Sequence, residues 1–153
     1  MSDQQADAAG EHSRALRSGG AGLPLWTQVI AAFAAVLLTT GAVIALVKPG
    51  MLVNPHEQIN EAVRVYAGYV ASRNFALGGF LLGALILRAK SLLNHALLLT
   101  ASIQLVDAVI DCFEARWAVV PGVTILAVLF FAAATGISRH PFWRAKAWNL
   151  AMR

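Results

Sequence analysis

The chain has 153 residues, of which 58% are hydrophobic and only 13% are charged. An ordinary water-soluble domain has about 25% charged residues, so this composition excludes that class and indicates a one-domain integral membrane protein. The net charge of +4 does not point to nucleic acid, because the basic residues flank apolar runs and form no separate stripe.

The first 22 residues precede any apolar run. They contain Asp3, Asp7 and Glu11, and they lack a basic segment directly followed by an apolar core, so they do not resemble a cleaved signal. We expect residues 1–22 to form a disordered tail in the cytoplasm. A lone Cys112 cannot form an internal disulfide.

Long apolar runs follow, each sufficient to cross a hydrocarbon core of about 30 Å. They predict spanning helices at about residues 25–47, 61–87, 91–113 and 117–137. Short connections make consecutive helices return beside one another. The predicted fold is therefore all-α, an integral membrane antiparallel four-helix bundle over residues 23–139.

Two flanking segments complete the predicted organisation. Asn54, Pro55 and Glu57 have the spacing of a helix cap, which predicts that the second helix starts outside the bilayer. Residues 140–153 interleave aromatic and basic side chains, which predicts a tail in the headgroup layer.

Orientation follows from the distribution of Lys and Arg around the predicted spans, leaving out the intramembrane Arg73. Eight lie on the side of the N-terminus, namely Arg14, Arg17, Arg88, Lys90, Arg139, Arg144, Lys146 and Arg153. Three lie on the other side, namely Lys48, Arg64 and Arg116. This asymmetry predicts that both termini of the multi-pass protein lie in the cytoplasm. The expected location is the cell membrane, which is the inner membrane in a cell that has two membranes.

The third predicted helix carries a polar face, formed by Thr100, Gln104, Asp107, Asp111 and Glu114. At 100° per residue these side chains fall within a sector about 80° wide. An Asp at the centre of a membrane helix costs roughly 2.5 to 3.5 kcal/mol, so two on one face require a partner, water or a proton.

Arg73 of the second helix is the predicted partner. Arg73 and Asp107 are almost equally far from the turn at residues 88–90, with a mismatch of about one residue or ~1.5 Å, so they lie at one depth. By the same count Asn74 lies at the level of Gln104 or Ile103, and Tyr69 at that of Asp111.

Two interpretations of this polar cluster remain open. It is either a lock between two helices or a site for a ligand or proton, in which the carboxylate left over after Arg73 has paired meets something else. A cavity beside Arg73, lined by Tyr66, Tyr69 and the aspartates, would favour the ligand site. A closed pair without a void would favour the lock.

Residues 69–78 read YVASRNFALG, and residues 104–111 read QLVDAVID. These segments resemble the DoxX-like group of small four-helix membrane proteins, and in particular a related family of unknown function. Ala71 replaces the first Gly of that pattern, and the residues that match it are Arg73, Asn74, Ala76, Gly78, Asp107 and Ala108. The resemblance covers roughly residues 26–139 and implies a fold and a membrane location. Some DoxX-like proteins take part in quinone-linked oxidation of sulfur compounds, but no cofactor motif here supports that activity.

The functional expectation is therefore a non-enzymatic accessory or assembly protein that acts with another membrane component. The alternative is a quinone or small-molecule site linked to redox chemistry, with Arg73 binding an anionic or carbonyl oxygen. No catalytic, cofactor or metal motif is recognised, since capping explains His56, Glu57 and Glu61 better than metal binding does. Gly79 and Gly83 form a GxxxG motif, which serves either internal packing or a homodimer.

Overall fold

A computed structural model describes residues 23–53 and 58–145. Within these ranges the chain forms helices and no strand: α1 (Leu25–Val47), a 3-10 turn (Pro49–Leu52), α2 (Glu61–Ile86), α3 (Lys90–Phe113) and α4 (Val120–Ser138). The predicted N-terminal tail, the predicted cap at residues 54–57 and residues 146–153 lie outside the described ranges.

All four helices are long and apolar enough to cross a membrane. Only 22% to 39% of the residues in their most apolar stretches are buried inside the chain, so most of their side chains face outward. Large apolar side chains cover this outer surface, among them Phe33, Val36, Phe80, Leu82, Val109, Ile125 and Val128. A surface of this kind is unfavourable in water and matches lipid, which indicates a multi-pass membrane protein.

The helices associate as two close pairs. α1 packs most extensively on α2, and α3 on α4, while the α2–α3 and α1–α4 contacts join the pairs. Gly78 permits the close approach of the first pair, because a Cβ there would lie 3.0 Å from Thr39 Oγ1 and 3.2 Å from the Ala35 carbonyl oxygen. The two helices joined by the shortest turn, α2 and α3, are therefore not the most closely packed pair.

The apolar core fills one half of the bundle. Its largest fully buried apolar residues come from three helices, namely Leu81, Leu93, Leu97, Leu98 and Phe130, and alanines of α1 complete it. All four helices contribute at the end that carries the α2–α3 turn. At the other end the buried apolar cluster contains only Ala42, Ala45 and Ala71, so this half is sparsely filled.

The second span begins at residue 61 as predicted, but the segment before it and the start of α4 differ from the predictions. α2 begins at Glu61, capped by Asn60, whose extended backbone lets its Oδ1 accept from the Val63 N–H at 3.0 Å. Residues 58–60 are not helical, so the predicted helix running on from Asn54 is wrong. α4 begins three residues after Trp117, because Val119 N–H first closes a turn on the Arg116 carbonyl at 2.9 Å.

The first residues of the C-terminal tail fold back on α4. Phe142 stacks on Phe131 with a ring centroid distance of 4.3 Å, and it meets Trp143 edge to face. Trp143 itself is 72% exposed, so its ring is free to reach the surroundings of the bundle. Placement of residues 140–153 in the headgroup layer stays a prediction.

Candidate ligand site between α2 and α3

Arg73 of α2 and Asp107 of α3 form a two-bond ion pair. Arg73 Nη1 donates to Asp107 Oδ1 at 3.1 Å, and Nη2 donates to Oδ2 at 3.0 Å. This fork-to-fork geometry fixes both planes and is stronger than a single contact. The two residues meet, as their equal distance from the turn predicts.

The third donor of Arg73 has no partner among the described residues. Its Nε is buried and makes no hydrogen bond. Leaving a buried donor unsatisfied costs about 1 to 3 kcal/mol. The pair with Asp107 therefore holds the guanidinium in place without satisfying it completely.

Asp111 pairs with Arg116, which the sequence prediction placed only on the extracytoplasmic flank. Arg116 Nη1 lies 3.0 Å from Asp111 Oδ1, and the two side chains are 23% and 10% exposed. The carboxylate expected to remain after Arg73 has paired is thus matched by a second arginine. Sequence reasoning missed it because Arg116 lies beyond the end of α3.

The turn after α3 brings Arg116 back to Asp111. Ala115 adopts a left-handed backbone with φ 55°, and its N–H donates to the Cys112 carbonyl at 3.2 Å. Arg116 N–H then donates to the Asp111 carbonyl at 2.9 Å. These are the two hydrogen bonds of a Schellman helix end, which reverses the chain over the last turn.

A cavity of about 570 Å³ lies beside both ion pairs. α2 contributes Val63, Tyr66, Val70 and Arg73, and α3 contributes Asp107, Ile110, Asp111 and Glu114. The other lining residues are Leu52, Val53, Gln58, Asn60, Arg116 and Val123. Residues of α3 at this spacing share one face, so a single polar face of α3 borders the cavity. The volume falls within the usual range of small-molecule pockets, about 300 to 1,000 Å³.

The predicted site residues are not all gathered here. Arg73, Asp107 and Asp111 line the cavity, but Tyr69 does not and is 73% exposed. Asn74 lies next to α1, where a Cβ on Gly41 would be 3.4 Å from its Nδ2. Gln104 is half-buried on α3 and is not a lining residue. Of the three pairs predicted to lie at one level on α2 and α3, only Arg73 and Asp107 are in contact at this site.

Three further charged or aromatic residues line the cavity, and the sequence analysis named two of them with the polar cluster without including them among the candidate site residues. They are Tyr66, Glu114 and Arg116. Glu114 belongs to the predicted polar face of α3, and Tyr66 was expected to line a cavity beside Arg73, so helical spacing accounts for both. Arg116 required knowledge of the turn after α3.

The described residues contain no group of three or more His, Cys, Asp or Glu side chains placed to hold a metal ion. His56 and Glu57, whose spacing resembles that of metal ligands, lie outside the described ranges.

No family model, no curated protein and no solved structure matches this chain. The resemblance to DoxX-like proteins therefore stays a prediction, and it rests on segments that contain Arg73 and Asp107. The geometry of the cavity carries the functional argument.

Proposed function

We propose that this chain is a multi-pass membrane protein that binds a small molecule in the cavity between α2 and α3. The observation that carries the proposal is a void of about 570 Å³ bordered by the Arg73–Asp107 and Asp111–Arg116 pairs. A helix lock requires only a closed ion pair. Here the ion pairs lie at the wall of a space that has the size and the mixed polarity of a binding site.

The arrangement in the bilayer is part of the proposal. The helices run antiparallel, both termini face the cytoplasm, and the cavity lies in the extracytoplasmic half of the cell membrane. Two features support this arrangement: Gly136 near the end of α4 lies against Trp26 and Thr27 at the start of α1, and basic residues concentrate at the end that carries the α2–α3 turn.

The lining residues divide into two roles. Asp107 holds the Arg73 guanidinium, and Arg116 holds the Asp111 carboxylate. Each charged group at the cavity wall is therefore held in position by the other member of its pair. Val63, Val70 and Ile110 offer apolar contact to the body of a ligand. This arrangement binds and orients a molecule, and the proposed role is binding without catalysis.

Native mass spectrometry of the protein purified from its own membranes tests the proposal. Ile110→Trp is designed to fill the cavity, and Val109→Trp is the matched control, because Val109 is 50% exposed on α3 and is not a lining residue. We expect a small molecule bound to the wild type and to Val109→Trp, and lost in Ile110→Trp. A wild type that carries no small molecule contradicts the proposal. A stoichiometric protein partner in its place would support the accessory function.

A homodimer through α2 is a second part of the proposal. A Cβ built on Gly79 or Gly83 meets nothing within 4 Å, so neither glycine serves packing inside the described chain. An open pair of glycines four residues apart allows a second helix to approach closely in lipid. We therefore assign the GxxxG motif to contact between two copies, while Gly78 serves the contact within one copy.

A further inference from the structure

We infer that the ligand carries no net charge and that its polar head both accepts and donates hydrogen bonds, as an amide does, at the Asp111–Arg116 pair. This inference rests on the proposed binding function and adds the chemical class of the ligand. It follows from the pairing of the charges at the cavity wall and from the hydrogen-bonding groups that one of the pairs leaves unused.

The charged side chains at the cavity wall are already matched. Arg73 pairs with Asp107 at 3.0 Å, and Arg116 pairs with Asp111 at 3.0 Å. Glu114, the fifth charged residue among the described lining residues, is exposed and has an interaction of its own. A charged ligand therefore meets no described charge at this wall that still lacks a partner.

A charged head group would gain little from entering such a site. It would lose its hydration, and a buried ion without an opposite charge beside it is strongly unfavourable. An ammonium group would have to break an ion pair to obtain a carboxylate of its own, and an anion would have to break one to obtain a guanidinium. An uncharged head group avoids both costs.

Arg116 keeps unused donors for such a head group. A guanidinium carries five N–H donors, and among the described residues the side chain of Arg116 contacts only Asp111, through Nη1. This side chain lines the cavity and is 23% exposed, so it can donate to a ligand while the pair stays intact. Arg73 is less available, because both of its Nη groups donate to Asp107 and its Nε is buried.

Asp111 supplies the matching acceptor. Its Oδ1 is engaged by Arg116, but among the described residues its Oδ2 has no hydrogen-bond partner. The residue lines the cavity and is only 7% exposed, so few water molecules can compete for this oxygen. Because the donor and the acceptor belong to one ion pair, a single amide can accept from Arg116 through its carbonyl oxygen and donate to Asp111 through its N–H.

Apolar side chains border much of the remaining cavity. Val63 and Val70 of α2, Ile110 of α3 and Val123 of α4 are among the lining residues. They remove a hydrocarbon or aryl body from water, which contributes affinity without requiring charge. The ligand that fits both parts of the cavity is therefore an uncharged amphiphile.

Four probes that share a phenylpropyl body and differ only in their head group test the inference. They are phenylbutanamide, methyl phenylbutyrate, the anion phenylbutyrate and the cation phenylbutylamine, measured by calorimetry at neutral pH on protein in phosphatidylcholine nanodiscs, with empty nanodiscs subtracted. We expect the amide to bind at least about tenfold more tightly than either charged probe, and severalfold more tightly than the ester, which accepts hydrogen bonds but cannot donate them. Val109→Trp, outside the cavity lining, should show the same order of affinities.

Two variants test whether the pairing of charges excludes ions. Arg116→Gln leaves the Asp111 carboxylate without its cation, so phenylbutylamine should bind at least about tenfold more tightly than it binds the wild type, and phenylbutyrate should not gain. Asp107→Asn leaves the Arg73 guanidinium without its anion, so phenylbutyrate should gain and phenylbutylamine should not. The second variant serves if the first fails to fold, and the wild-type order of affinities decides if both fail.

A charged probe or the ester that binds the wild type as tightly as the amide overturns the inference. A folded Arg116→Gln or Asp107→Asn variant that keeps the wild-type affinities for both ions overturns it as well.

The same probes separate failure of this inference from failure of the proposed function. Preferred binding of a charged probe that disappears in Ile110→Trp overturns the inference of an uncharged ligand and supports the cavity as a binding site. Absence of binding by all four probes overturns the inference, and native mass spectrometry then decides the proposed function.

Discussion

Arg116 binds Asp111 through both its backbone and its side chain. Its N–H donates to the Asp111 carbonyl at 2.9 Å, and its Nη1 lies 3.0 Å from the Asp111 Oδ1. The end of α3 and the wall of the cavity are thus one structural unit. The conformation of Ala115, which reverses the chain between them, controls where the guanidinium arrives.

Ala115→Gly should stabilise the protein by about 0.5 to 1 kcal/mol. Ala115 has φ 55°, a left-handed conformation that costs an alanine about 1 to 2 kcal/mol and a glycine almost nothing. Part of this gain is offset by the greater freedom of glycine in the unfolded chain. The midpoint of thermal unfolding in detergent measures the change.

Ala118→Gly is the control for this substitution, because Ala118 lies in the next turn of the same connection and is not among the residues with positive φ. It should leave stability unchanged or lower it. An equal rise in both variants would mean that the left-handed conformation is not the cause.

Gly78→Ala should destabilise the protein by about 1 to 3 kcal/mol. The added Cβ would lie 3.2 Å from the Ala35 carbonyl oxygen, which is backbone and cannot turn aside, so α1 and α2 must separate. Gly79→Ala should have no such cost and should gain up to about 1 kcal/mol of helix propensity. Comparing the unfolding midpoints of these adjacent variants tests the packing of the first helix pair, and equal effects would refute it.

Gly83→Leu should convert a dimer into a monomer without lowering the stability of the chain. A side chain at this position meets no other residue within 4 Å, but it would block close approach of a second α2 helix. Gly122→Leu on α4 is the control, since its Cβ also meets open space. Sedimentation in detergent gives the oligomeric state, and a monomeric wild type would exclude the dimer.

The orientation of the chain is tested with single cysteines in a Cys112→Ala background. Lys48→Cys should react with a membrane-impermeant maleimide added outside intact cells, and Arg144→Cys should react only after permeabilisation. Both wild-type side chains are exposed, and they lie on opposite sides of the membrane in the predicted topology. The reverse labelling pattern would invert the topology. Full labelling of both in opened membranes is the necessary control.

The helices could be predicted from the sequence because a helix long enough to cross a membrane requires a continuous apolar run. α1 and the Arg73–Asp107 contact follow from run length and from distance along two helices joined by a short turn. Those are one-dimensional properties. Run length and distance from the turn determine the depth of a residue in the bundle, but they do not determine the rotation of each helix about its own axis.

The rest of the site depended on rotation and on turn geometry. Asn74 is adjacent to Arg73 in sequence, yet its side chain lies beside Gly41 of α1, about 100° around the helix from its neighbour. Arg116 joins the site through the left-handed Ala115, a conformation that glycine usually signals and alanine does not. The buried apolar cluster of the described residues at that end consists of the small residues Ala42, Ala45 and Ala71, and the run of apolar residues in the sequence does not show which half of a bundle is loosely filled.

The Arg73 guanidinium and the Asp107 carboxylate hold one another inside the bundle, and the candidate site is built around this pair. A double-mutant cycle of Arg73→Ala and Asp107→Asn, read as the free energy of unfolding in lipid or detergent, tests it most directly. Each single change should destabilise the protein, and the double variant should recover part of the loss, with a coupling energy of about 1 to 3 kcal/mol. Single variants as stable as the wild type, or losses that simply add, would contradict the pairing and the site built around it.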